Sequence, residues 1–549
     1  MSIRQTRTLL VILSLGLLYF IAFIPVNLMG ARDANMLALF EVDEYAQYPH
    51  VLRMLQPGET PYQTLRNFLI YLHYFYGYPF YFFSALALMP LRSTLGAGWE
   101  NQTQQIVLIL RQMINVLPML AAVGLLVYLQ TRLRSWWRSA GLFIFLLACP
   151  ATVVNNFWWH PDSLVFFFIV LTFFFLDRDD LRFGKYFWLA AAACGLAIGT
   201  KHLGVFFALA IPVYLIWGVI AGQLTWKKAV RNGALFILVM LASIVISNPL
   251  LLLPQERAAI ISTQVAQFRQ TSVGILTANT SSFFEGSSYP EDFRIHYGEW
   301  FFVLLGFLAL GIGIARSESR RLNVLILAWM IPLALVLLNV GTRRTHYFLP
   351  LILPLYSSLV HLFPETIPIP KRNAWVALRS RTIRLLRWLL IIPAIPVLFQ
   401  LMLFIQTDVT VYSRQLWREM TSPSLAFYQR LQEVLKPLPQ PPRIVYRDWR
   451  IYYPGQPGQQ VEMNWDMATY PYIRDLKPDL ILLERENLAL FSKPEVIEQA
   501  ANPGNMRLIH EFYRDAALNT VEGYQIIYQD SFASALVSQA IFDQYFKNP

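Results

Sequence analysis

Eleven apolar stretches, each near the length of a bilayer-crossing helix, constrain this chain more than any other feature. A helix rises about 1.5 Å per residue, so crossing the hydrocarbon layer takes about 20 mostly apolar residues. The stretches are Thr8–Met29, Ile106–Gln130, Ser139–Val154, Ser163–Leu176, Tyr186–Thr200, Leu203–Ile220, Gly233–Leu253, Tyr297–Ala315, Leu322–Val340, His346–Phe363 and Leu386–Ile405. Only 14% of residues are charged and 56% are hydrophobic, whereas a soluble domain carries about 25% charged residues. The predicted fold class is therefore a mainly α, polytopic membrane protein of about 11 transmembrane helices with interfacial helices on its outer face. Cys149 and Cys194 both fall in apolar stretches and give no disulfide framework or zinc motif. The basic, then apolar, N-terminus has no small-residue cleavage site before the acidic cluster at Glu41, Asp43 and Glu44, so it reads as a retained anchor helix.

The net charge of +11 does not point to nucleic acid, because the basic residues sit in short loops where they set orientation. Alternating the spans gathers Arg4 and Arg7, Arg132 to Arg138, Lys227 to Arg231, Arg316 to Arg321 and Lys371 to Arg384 on one face, which is then cytoplasmic. The opposite face receives Asp43 and Glu44, His160-Pro161-Asp162, Lys201-His202, the long 254–296 loop, Arg343-Arg344 and the C-terminal tail. This requires the aromatic run Phe68–Leu91, broken by Gly77 and Pro79, to lie along the interface rather than cross. From about Gln406 charge and proline increase. Pro437 to Pro442 reads as a rigid linker. Apolar runs at Arg443–Tyr446, Asp479–Leu483 and Tyr524–Tyr528 then read as strands beside helical stretches such as Lys493–Ala501. The expected organisation is a membrane domain over 1–405 and a small extracytoplasmic α/β domain over 406–549.

Ionisable residues beside a bilayer core are costly and therefore functional candidates. Asp43, Glu44 and Asp162 are the expected acid positions, and Arg111, His160, Lys201, His202, Arg343, Arg344 and His346 the expected substrate-binding ones. Acids facing cations at a membrane surface suit a lipid-linked phosphosugar. A carboxylate takes the proton of an attacking hydroxyl. The departing lipid phosphate is already ionised and needs positive charge rather than a proton. Asp43 is the expected base; Glu44 and Asp162 orient the acceptor or a neighbour; Lys201, Arg111 and Arg343 hold the phosphate. Adjacent helical residues do not face one way, so Glu44 is not expected to be a second nucleophile at the same carbon. No cofactor is firmly predicted. A divalent cation held by His160, Asp162 and Glu44 is left open. Structural readings stand beside these: Asp43 as a helix cap, Lys201 and His202 reaching for headgroups, and Arg343 and Arg344 as anchors. Asn279-Thr280-Ser281 matches a glycosylation sequon.

In order and topological place, Asp43-Glu44, Tyr78-Pro79-Phe80-Tyr81, Arg111, His160-Pro161-Asp162, Gly199-Thr200-Lys201, Ser247-Asn248-Pro249 and Thr345-His346-Tyr347-Phe348-Leu349-Pro350 resemble the GT-C superfamily. More closely they are similar to glycosyltransferase family 39, which includes protein O-mannosyltransferases and the aminoarabinose transferases of lipid A. The resemblance covers roughly residues 1–365. It implies a polyprenyl-phosphate-sugar donor, a glycan, lipid or protein acceptor, and chemistry on the outer side of a plasma (inner) membrane. It also implies that the family's essential aspartate corresponds to Asp43, its second acidic position to Asp162, and its Arg and Lys positions to Arg111 and Lys201. The tail does not resemble the repeat module of the eukaryotic protein mannosyltransferases, which weighs against a protein acceptor. The competing expectations are a secondary transporter or flippase for a lipid-linked envelope precursor and a non-catalytic assembly protein. The former calls for internal repeats and mid-span charges, neither of which the sequence has.

Overall fold

The structure is a computed structural model that describes residues 2–273, 289–340, 344–364 and 381–547. Arg343 and the sequon at Asn279 lie outside the described residues. Among the described residues six helices are long and apolar enough to cross a membrane: Ile3–Leu28, Thr103–Thr131, His202–Ile220, Trp226–Ser247, Arg320–Asn339 and Ile392–Trp417. A seventh is formed if Tyr289–Tyr297 and Trp300–Ala315, bent by 61°, are one span.

Several expected spans are shorter or broken helices, and proline accounts for the breaks. Ser139–Val154 becomes Trp136–Leu147 and Pro150–Asn155, with Pro150 opening the second piece. Proline lacks an amide hydrogen and clashes with the preceding turn, so it starts a helix more readily than it continues one. His346–Phe363 becomes a 3₁₀ turn (Thr345–Phe348), a helix (Leu349–Ser357) containing Pro350 and Pro354, and a second 3₁₀ turn. The aromatic run gives an irregular segment to Gly77 and then the helix Tyr78–Leu95, which is not among the six.

The buried centre is built around the helices Asp162–Asp179 and Lys185–Thr200. The second is lined with Ala190, Ala191, Ala193, Cys194 and Ala197, all buried. Small side chains let helix backbones approach closely, which matters where lipid supplies no hydrophobic drive for association. Both cysteines are free and buried, as core residues.

The last long helix, Arg381–Trp417, continues past Gln406, and the chain then turns into the helix Pro423–Val434. A five-stranded mixed sheet follows: β1 (Ile444–Arg447), β2 (Gln460–Glu462), β3 (Leu480–Glu484), β4 (Tyr524–Gln529) and β5 (Ala533–Ser538), ordered β2-β1-β3-β5-β4. β1 pairs in parallel with β2 and β3, while β5 runs antiparallel to β3 and β4. β3 is buried along its whole length. The helix expected over Lys493–Ala501 is confined to Glu495–Glu498, and the main helix of this region is Pro503–Ala517. The chain is thus a mainly helical, multi-pass membrane protein with a small C-terminal α/β unit.

Candidate functional site

Three separated sequence motifs meet at one backbone junction. Gly77 donates its amide to the Thr200 carbonyl at 3.1 Å, and Tyr78 donates to Asn248 Oδ1 at 2.8 Å. Asn248 Nδ2 in turn donates to the Gly199 carbonyl at 3.2 Å. A Cβ at Gly77 would stand 1.5 Å from that carbonyl oxygen, so no other residue fits this approach. The junction places Tyr76 on one side and Lys201 on the other.

Lys201 caps the C-terminus of its helix in extended backbone, φ −158°. Its ammonium donates to Asp162 Oδ1 at 2.6 Å and lies over the Tyr347 ring, 4.9 Å from the centroid. Asp162 is buried in the first turn of its own helix, where the helix dipole favours an anion. Its other oxygen meets His160 Nδ1, and His346 Nε2 lies 3.7 Å away. His160 Nε2 is 2.6 Å from the Tyr76 hydroxyl, its backbone amide donates to Asn115 Oδ1 at 3.1 Å, and its ring stacks on Trp158 at 4.2 Å. A continuous polar chain therefore runs Tyr76–His160–Asp162–Lys201, with His346 alongside.

Asp43 stands near the Tyr76 end of this chain. It is the second residue of the helix Val42–Met54, half-buried, and near enough for its charge to act on the hydroxyls of Tyr76 and Tyr81. Among the described residues its carboxylate has no hydrogen-bond or ion-pair partner. Glu44 faces elsewhere, as neighbouring helical positions must. It is fully buried and held bidentately by Arg111, Nε to Oε1 at 2.8 Å and Nη2 to Oε2 at 2.6 Å. The Trp159 amide also donates to Glu44 Oε1, at 2.5 Å. Arg111 opens a π-helical turn, Arg111–Val116, a distortion frequent at functional sites. Its Nη1 donates to the carbonyls of Asn27 and Met29, both at 2.9 Å. Arg111, expected to hold the phosphate, and Glu44, expected to orient the acceptor or a neighbour, here spend their polar atoms on each other and on the backbone. Glu41, which precedes the helix, is paired with Arg418 at 3.1 Å; burial lifts its carboxyl to about 7 although Arg418 pulls the other way.

The remaining expected positions divide. His346 joins the Asp162 cluster. His202 is exposed and bonds Gln264 Oε1 at 2.6 Å, on the helix Pro254–Val273 that covers the aromatic segment. Arg344 is exposed and lines a cavity of about 180 Å³ with Tyr289, Asp292, Phe293, Tyr297 and Thr345. A metal site that includes Glu44 does not form, since Glu44 is committed to Arg111. His160, Asp162 and His346 do offer ligand atoms within 4.8 Å of one another. However, Lys201 already sits on Asp162 Oδ1 and both His160 nitrogens are engaged, so an ion there would face an ammonium at contact distance. As arranged, the donor set suits a cationic side chain rather than a metal.

Tyr76, Trp158, Asn115 and Arg418 are not among the expected site residues. Tyr76 was legible only as one of many tyrosines in an aromatic run, and Arg418 lies far along the chain in a region with no motif.

No family model and no curated protein matches the chain. Among solved structures, ArnT from Cupriavidus metallidurans bound to undecaprenyl phosphate aligns with a TM-score of 0.52 at 13% identity, covering 96% of this chain and 97% of that one. The Archaeoglobus fulgidus oligosaccharyltransferase in its apo form aligns at 14% identity over 90% of this chain and 72% of its own, with a TM-score of 0.48, too low to bear on the argument. Identity at this level speaks to fold alone. Over 96% of its length, this chain shares the fold of that ArnT structure.

Proposed function

We propose that this protein is an inverting glycosyltransferase that moves a sugar from a polyprenyl-phosphate carrier to an extracytoplasmic hydroxyl on a glycan, lipid or protein. The observation that carries the reading is the Asp43 carboxylate, without a hydrogen-bond or ion-pair partner among the described residues, near the Tyr76 end of a polar chain that closes on the Lys201 ammonium. The solved structure whose fold this chain shares binds undecaprenyl phosphate, which supports a lipid-phosphate carrier here.

The acceptor oxygen attacks the anomeric carbon while Asp43 takes its proton; the bond from that carbon to the phosphate oxygen breaks, and the lipid phosphate leaves with the electron pair. Lys201 holds the phosphate. Asp162 orients its amine through one of its three hydrogens and leaves two for the ligand. Arg344 adds charge from the start of the Thr345–Phe348 turn. His160 and Tyr76 fix the ring and hydroxyl geometry between the two ends. A double displacement needs a second carboxylate close to the same carbon. Glu44 is turned away and locked to Arg111, which supports a single displacement with inversion. The membrane is the plasma (inner) membrane, and the site opens on its outer side.

Asp43→Asn tests the reading. In cells that carry it as their sole copy, the lipid-linked sugar should accumulate, read by mass spectrometry, while the purified variant still binds undecaprenyl phosphate. Losing a general base costs about 10²- to 10⁴-fold in rate. Undiminished transfer by Asp43→Asn would remove Asp43 from the chemistry, and a transporter or assembly role would then take precedence.

A further inference from the structure

The segment from Met29 to Glu41 links the first helix to the helix that carries Asp43, and the C-terminal part of the chain holds it. Arg418 is the centre of the hold. Its Nη1 donates to Glu41 Oε1 at 3.1 Å, its Nη2 to the Met29 carbonyl, and its guanidinium lies 4.9 Å from the centroid of Phe40. The same Met29 carbonyl accepts from Arg111, so the two arginines brace one backbone oxygen. Glu419 accepts from the Gly30 amide at 2.6 Å. Gly30 has φ +70°, and a Cβ there would lie 2.6 Å from the Arg418 guanidinium, so only glycine allows this approach. The sheet domain adds a second strap. Asn35 donates to the Pro454 carbonyl at 3.0 Å and accepts from Arg447 Nη2 at 3.2 Å, and Tyr452 donates to Asp33 at 2.7 Å.

One detail makes this more than packing. Glu41 is the N-cap of the Val42–Met54 helix, yet its side chain makes no capping bond. Its carboxylate is given to Arg418 instead. The start of the helix, and with it the place of Asp43 two residues on, is thus set by Arg418, the residue after the last long helix, rather than by a local cap.

We propose that the C-terminal part of the chain is a positioning element of the transfer reaction: Arg418, at the end of the last long helix, assisted by the Asn35–Arg447 strap from the sheet, holds the loop that presents Asp43 to the acceptor. This rests on the reading of Asp43 as the base. A base must stand within about 2.6–3.2 Å of the proton it takes, so a loop freed by an ångström loses rate without losing fold.

The test uses the full-length protein with Arg418→Gln and, as a milder cut, Asn35→Ala. Two quantities are read: backbone hydrogen exchange in lipid nanodiscs, and residual lipid-linked sugar in cells with the variant as sole copy. Affinity for undecaprenyl phosphate serves as the control. Arg418→Gln should speed exchange across Val42–Met54 while the amides of β1 and β3 stay protected. It should lower transfer by about 10- to 100-fold, with undecaprenyl phosphate affinity within about twofold of the parent. Asn35→Ala should move both readouts the same way by less. If Arg418→Gln also exposes β1 and β3, the domain has unfolded and Asn35→Ala alone decides. Faster exchange with full transfer, or unchanged exchange in both variants, overturns the proposal. Asp43→Asn in the same assays separates the failures: full activity there removes the base itself, whereas an inactive Asp43→Asn beside fully active loop variants removes only the positioning role.

Discussion

Arg111 illustrates what a single residue does when its surroundings are dry. The pair with Glu44 has no exposed surface on either side. Two charges taken out of water are tolerated only when each satisfies the other, and removing one partner typically costs about 3–5 kcal/mol. Arg111→Gln alone should therefore lower thermal stability by about that amount, and Glu44→Gln introduced with it should recover most of the loss. A thermal unfolding series of the two single variants and the double variant checks this. Failure of the double variant to recover would return Arg111 to a ligand-binding role. The comparison also marks what the sequence could convey. As candidates, Asp43, Asp162, His160, Lys201 and His346 were legible because charged residues at the ends of apolar runs are costly and few. Which of Asp43 and Glu44 stays open was not, because helical phase separates the two faces only once a partner is present to claim one. The partner of Arg111 was not legible for the same reason: a cation near a span end pairs with the first acid that folding brings to it, and that acid is 67 positions away.

At the scale of elements, the site depends on a junction rather than on any one helix. The end of Lys185–Thr200, the start of Tyr78–Leu95 and Asn248, which ends Trp226–Ser247, are bound through Gly77, Gly199 and Thr200. Gly77→Ala would force a methyl group to within 1.5 Å of the Gly199 oxygen, and a backbone atom cannot swing aside. The two elements would have to separate. A loss of about 1–3 kcal/mol should accompany a loss of transfer, while Gly141→Ala, inside the helix Trp136–Leu147 and with nothing near its Cβ, should cause neither. Thermal unfolding together with the accumulation assay reads both effects, and equal stability in Gly77→Ala would mean that the junction is not tight. Periodicity could not have located this junction, since lipid-facing and protein-facing sides of these helices are both apolar. The breaks at Pro150, Pro350 and Pro354 were foreseeable in kind. The sheet was half legible: β1, β3 and β4 stand out as apolar runs, whereas β5 (Ala-Ser-Ala-Leu-Val-Ser) has few β-branched residues and is a strand because β3 and β4 flank it.

For the whole molecule, the sheet reaches the loop before Asp43 through Arg447 and Tyr452, and acid chemistry in the sheet offers a handle on that link. Asp448, just beyond β1, ties the sheet together by accepting from the Tyr513 hydroxyl at 2.6 Å, the Glu484 amide at 2.9 Å and Asn487 at 3.0 Å. Glu484, at the end of β3, is buried beside it. Burial lifts the Glu484 carboxyl from 4.5 to about 7, Asp448 adds repulsion, and the exposed Arg450, 3.7 Å away, offsets part of this. The folded domain therefore holds this proton more tightly than the unfolded chain. Its contribution to stability is complete below pH about 4.5 and is lost as pH rises through about 7. The loss is on the order of 2 kcal/mol, less whatever Arg450 and solvent recover. Because the strap to Asn35 leaves from Arg447, one residue before Asp448, a looser sheet at alkaline pH also loosens the loop that carries Asp43. Unfolding of the sheet region, followed by hydrogen exchange of β1 and β3 at pH 5 and pH 8, should show weaker protection at the higher pH. Glu484→Gln, which keeps the shape and removes the charge, should flatten much of that difference and raise protection at pH 8. An unchanged pH slope in Glu484→Gln would assign the dependence to Asp448 or to another group, and would leave the sheet without this acid as its weak point.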